Sequence, residues 1–138
     1  MNRAIELHDT EVVGITTVGD QVIVFLDAYV HQSAGRPGRH PGTGWGQAAV
    51  LLFRRGSLEG DLPESPVYIK SGSLILGETE SPNLIPIPLD HVGPVTLSIR
   101  VIGADGIYQG LKVSGAAVVL TLIGEPVYGG EFPGSRSS

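Results

Sequence analysis

The chain has 138 residues, 41% of them hydrophobic and 17% charged, a balance that fits one collapsing domain and excludes both intrinsic disorder and two ordinary domains. A formal net charge of -5 with Lys70 and Lys112 as the only lysines leaves no broad basic face to displace counterions from a phosphate backbone, so nucleic acid is not an expected partner. The absence of cysteine removes disulfides, thiolate metal sites and cysteine nucleophiles together.

From the start of the chain, Met1 to Glu6 lacks the basic opening and apolar run of a secretory signal. No stretch reaches the length of a membrane-spanning helix. A cytoplasmic, bacterial-type protein with no membrane association is the expectation. Ile5–His8 and Val12–Thr17 are short strand candidates, and Val18-Gly19-Asp20 has the chemistry of a hairpin turn. Gln21–His31 is a nearly continuous apolar run rich in β-branched residues, which predicts a central strand covered on both faces.

The segment from His31 to Gln47, HQSAGRPGRHPGTGWGQ, breaks this rhythm. It is too long for a tight hairpin turn and too polar for core, and it reads as a glycine-rich loop. Arg36, Arg39, His40, Thr43, Trp45 and Gln47 combine directed donors with one large stacking surface, as anion, sugar and protein sites do. These six are the candidate ligand-binding residues. The alternative is an insertion pinned to the edge of the domain by Trp45. The segment has no P-loop ending, and no helix follows it as a dinucleotide fingerprint requires.

Further strands are predicted at Ala48–Phe53, Val67–Lys70, Ser73–Leu76 and Leu84–Ile87. Arg54-Arg55 is a charged strand end. The prolines of Ser81–Asp90 mark an edge or a crossover, because proline cannot donate to a ladder. Val95, Leu97, Ile99 and Val101 alternate with Thr96, Ser98 and Arg100, the clearest half-buried strand in the chain. Tyr108–Ser114 and the apolar run Ala116–Ile123 follow, the latter again expected to be covered on both faces. Phe25, Ile99, Leu120 and Leu122 are the expected core. With 20 glycines and 10 prolines, no long window keeps a helical period free of breakers.

These elements predict an all-β domain over residues 1–132, an antiparallel β-sandwich of jelly-roll type with a small β-barrel as the alternative. Residues 133–138 are expected to be a disordered tail.

Catalytic chemistry is poorly represented. His31, His40 and His91 are the candidate ligands of a metal-dependent, cupin-like enzyme, but the close His-x-His pair of such enzymes is missing, so no metal or other cofactor is expected. Asp27, His31 and Ser33 form the one compact nucleophile-like grouping, without a nucleophile elbow. No catalytic residue is assigned.

Glu6-Leu7-His8-Asp9, the segment Val12–Ile15, the Gly19-Asp20 turn and the strand from Val22 resemble the opening of small bacterial all-β proteins that include some toxin-immunity families. The resemblance covers about thirty residues. It implies a β domain that acts through binding and carries no catalytic residue across. His8-Asp9 is expected to shape the first turn, with Asp9 bonding backbone amides. The expected function is a non-catalytic binding domain whose partner is a protein or a carbohydrate. The rivals are the cupin-like enzyme and a structural subunit of a homo-oligomer that touches its neighbour through Ser81–Asp90.

Overall fold

The computed structural model describes residues 1–64 and 67–133. Wherever the sequence alternates apolar and polar residues it runs as strand, and the described residues contain no α-helix. In chain order the elements are β1 (Asn2–Glu6), a single 3-10 turn (Leu7–Asp9), β2 (Glu11–Val18), β3 (Gln21–Ser33), β4 (Gly42–Arg54) and β5 (Ser57–Glu59). They continue with β6 (Val67–Leu76), β7 (Thr79–Pro82), β8 (Leu84–Ile87), β9 (Asp90–Ile102) and β10 (Tyr108–Phe132). The fold is all-β and antiparallel, as the sequence predicts.

One 10-stranded sheet runs in the order β2-β6-β9-β10-β4-β3-β1-β8, with β5 on β10 and β7 on β6. Because β2 also pairs with β3, the ladder leaving β2 through β6, β9, β10 and β4 returns to β2. The short strands β1 and β8 extend the far end of β3.

One contiguous core fills the inner face, where Val22, Val24, Leu26, Ala28 and Val30 of β3 meet Phe53, Leu51 and Ala49 of β4 and Val95, Leu97, Ile99 and Val101 of β9. Burying a side chain of this size contributes about 1.5–3 kcal/mol, so this face supplies most of the stabilisation.

Two expectations are corrected here. First, β3 and β10 are not covered on both faces. In β3 burial alternates strictly through Val30, and Phe25 lies on the outward side at 39% exposure. Its size and apolarity suggest core, but the period of two places it opposite Val24 and Leu26. Ile99 is buried as expected, whereas Leu120 and Leu122 are only partly buried against the core. Second, Tyr108–Ser114 and Ala116–Ile123 are one strand of 25 residues, because a register shift between Gly115 and Ala117 lets β10 continue past what reads as a break.

Candidate functional site

The predicted loop from His31 to Gln47 is mostly a hairpin. β3 and β4 pair without interruption from Val22↔Phe53 to Ser33↔Gly42, which leaves only residues 34–41 as the tip. Glycine disguises the strand: Gly42, Gly44 and Gly46 carry no side chain to reveal an alternation. At two of the three the absence of a side chain has a packing cause. A Cβ at Gly44 would collide with the Tyr29 hydroxyl, and one at Gly42 with the Gln32 carbonyl.

The tip is fastened by its own hydrogen bonds. The Gly38 amide donates to Nδ1 of His31, and the Arg36 amide donates to Nδ1 of His40 at 2.7 Å. Ser33 Oγ donates to the Pro41 carbonyl at 2.8 Å and accepts from the Gly35 amide at 3.0 Å. Asn2 Nδ2 reaches over from β1 to the Gly35 carbonyl at 2.7 Å. The insertion is thus pinned, but not by Trp45.

Folding back in this way, the tip covers the outward side of β1 and β3. His31 and Ser33 are fully buried there, and Glu6 nearly so. Phe132 from the end of β10 stacks on the His31 ring at 4.0 Å between centroids. Burial lowers the His31 pKa, since the protonated ring loses hydration it cannot replace. Burial also raises the Glu6 pKa, with the nearby Asp9 charge adding to the rise and His8 opposing it.

Between the tip and the β7–β8 connection lies a cleft of about 500 Å³, lined on one side by Arg36, Pro37, Gly38 and Arg39 and on the other by residues 79–84, including Glu80 and Asn83. The second wall is also tied to the rest of the sheet by hydrogen bonds, at Asn83. Asn83 sits at φ 60, bonds the His8 amide through Oδ1 at 2.8 Å, and exchanges backbone bonds with Leu7 and Gly72. Arg36 and Arg39 are exposed, and among the described residues neither makes an ion pair or a side-chain hydrogen bond. On the other flank of β7, Glu80 and Pro82 also border a shallow depression of about 570 Å³ that contains Arg100 and Tyr108, where the Arg100 guanidinium lies 4.6 Å from the Tyr108 ring centroid.

The six candidate residues therefore divide. Arg36 and Arg39 line the cleft. His40 is held as the acceptor of the Arg36 amide. Thr43, Trp45 and Gln47 share the face of Val30 and Ala28, their cross-strand partners or neighbours on β3, and do not line the cleft. There the Trp45 indole N–H donates to Thr43 Oγ1 at 2.9 Å and packs edge-on to Tyr128 at 5.2 Å. Gln47 is buried and donates to the Gly124 carbonyl at 2.8 Å. These three secure the distal half of β10. Glu80, Arg100 and Tyr108 from strands and Asn83 from the β7–β8 connection complete the surface; all are remote in sequence from the tip and carry no local signal.

The enzymatic alternatives are not assembled. Among the described residues no group of three His, Cys, Asp or Glu side chains could hold a metal ion, so His31, His40 and His91 do not form a centre. Asp27 is exposed on β3, while His31 is buried against Gly38 and the Ser33 hydroxyl is occupied by Pro41 and Gly35. Asp9 pairs with His8 at 3.3 Å and makes no bond to a backbone amide among the described residues, contrary to the expectation for the first turn. No helix of the described residues is long and apolar enough to cross a membrane. Comparison with protein-family models, curated proteins and solved structures finds no match for the chain.

Proposed function

We propose that this protein is a non-catalytic binding domain that holds an extended acidic segment of a partner protein in the cleft between residues 36–39 and 79–84. The observation that carries the reading is the pair of opposed, independently fixed walls with Arg36 and Arg39 exposed and without partners among the described residues. Arginine binds carboxylates through a rigid fork of donors, and a preorganised wall spares the entropy of ordering it. Arg100 beyond β7 adds a third cation, so a chain laid across β7 meets arginines on both flanks, with Glu80 between them to select where its carboxylates sit.

A protein partner is favoured over a carbohydrate because the one tryptophan, the natural stacking platform for a sugar ring, is engaged with Thr43 and Tyr128 away from the cleft. The resemblance of the opening residues to toxin-immunity families suits a protein that works by binding another.

The test is fluorescence anisotropy with an array of labelled acidic peptides. Arg36→Ala and Arg39→Ala should each weaken the best binder by about tenfold or more while leaving the thermal midpoint in place. Unchanged affinity in both variants would reject the cleft as the site.

A further inference from the structure

Beyond that cleft, the molecule carries a second surface with the marks of an interface. On the outward side of β3, β4 and β10 lie Ile23, Phe25, Val50, Leu52, Val119 and Ile123. The register places them in adjacent rows: Ile23 beside Leu52 beside Val119, Phe25 beside Val50, and Ile123 beside Ala48. None of the six packs against the core, and Phe25 and Ile123 are 39% and 49% exposed. A contiguous apolar patch of this kind on a sheet face marks a contact surface, because isolated apolar residues scatter instead.

We infer that this face is a two-fold interface with a second copy of the same chain. The argument is charge self-complementarity. At one end of the patch is Arg54, the last residue of β4. At the other, Glu11 and Asp27 stand directly opposite each other across β2 and β3, and neither has an ion-pair partner among the described residues. Like charges directly opposite on one face repel, so this end calls for a cation.

A two-fold axis lying in the interface, across the strands between the Val50 and Leu52 rows, supplies it. Arg54 and Ala48 lie equally far from that axis on β4, and Ala48 is the cross-strand neighbour of Asp27. The operation therefore sets Arg54 of each copy over the Ala48–Asp27 row of the other, and Val50 of each over Leu52 of the other. Both Arg54–Asp27 contacts form at once, as an isologous interface requires. Two apolar sheet faces pack about 10 Å apart, a gap that an arginine side chain spans.

Two of the sheet edges, by contrast, are blunted against association. Pro86 interrupts donors on the edge strand β8, and Pro126 with two register shifts interrupts the free side of distal β10. The open face is where association is unopposed.

Sedimentation velocity of the full chain across the micromolar range tests the inference. A species of twice 14.5 kDa is expected, and Val50→Asp should leave only the monomer with an unchanged far-ultraviolet spectrum. Arg54→Glu and Asp27→Arg, both exposed and safe for folding, should each raise the dimer dissociation constant by about tenfold. Combining Arg54→Glu with Asp27→Arg should restore it. A parent protein that stays monomeric throughout overturns the inference, as does a dimer indifferent to Val50→Asp. A double variant no better than either single change overturns the proposed register.

Discussion

Nδ1 of His31 accepts a hydrogen bond from the amide of Gly38, seven residues further along the chain, and so ties the tip of the β3–β4 hairpin to its own stem. Only a ring nitrogen without a proton can accept, so this one tie holds only while His31 is neutral, whereas the bonds of Ser33, Asn2 and His40 to the tip do not depend on it. Burial lowers the folded-state pKa below the ordinary 6.5. In the unfolded chain the ring takes up its proton first as the pH falls. This contribution to stability is full above 6.5 and is lost as the pH drops from 6.5 through the lowered folded value. Urea unfolding midpoints measured on either side of that window should fall with acidity, and His31→Gln should flatten this part of the profile.

Glu6 works in the opposite direction. Its pKa is raised from 4.5, chiefly by burial, so the folded state keeps the proton where the unfolded chain has released it. The associated stability is present below 4.5 and is lost as the pH rises through the raised value. A buried carboxyl oxygen of Glu6, Oε2, has no hydrogen-bond partner among the described residues. Glu6→Gln removes the charge at nearly constant volume and should raise the melting temperature at pH 7. A lower melting temperature would mean that the carboxylate itself is required.

The strict alternation of β3 gives a paired stability prediction. Leu51 is fully buried on β4, and Leu51→Ala should cost about 2–5 kcal/mol in lost transfer energy and cavity formation. Phe25→Ala removes a larger side chain from the outward face and should cost less than Leu51→Ala in chemical denaturation of the monomer. A reversal of that order would place the core on the wrong side of the sheet.

Gln47 holds the distal half of β10 through the Gly124 carbonyl. Gln47→Leu removes that bond and should cost about 0.5–1.5 kcal/mol, because Gly124 is exposed and water can replace the lost donor. The loss should be local. Hydrogen exchange at Val127, Tyr128 and Phe132 should speed up before that of the core strands β3 and β9 does.

The parts of the fold legible in the sequence are those with side chains to mark the period. Val95 to Val101 announces β9 because every second residue is apolar, and the prolines around Pro86 announce an edge. The hairpin stem from Gly42 to Gly46 is hidden because glycine leaves no periodic mark, so strand reads as loop. Residue type points Phe25 to the core, whereas its position in the alternation puts it on the outward face. Arg36 and Arg39 stand out by charge alone. Their counterparts Glu80 and Asn83 become neighbours only when β1 and β8 close the end of the sheet, a long-range contact that no local window contains. Trp45 and Gln47 have the chemistry of ligand-binding residues, but that chemistry is used inside the molecule, on Thr43 and Gly124.

The most direct test of the binding role is where an acidic peptide sits when it binds. Two-dimensional NMR of the labelled protein, titrated with the tightest peptide of the acidic array, reads this residue by residue. Shifts concentrated at residues 36–39 and 79–84, extending to Arg100 and Tyr108 with the Trp45 indole signal unmoved, are the predicted result. Shifts centred on Trp45 and Gln47 with residues 36–39 and 79–84 silent would contradict the account.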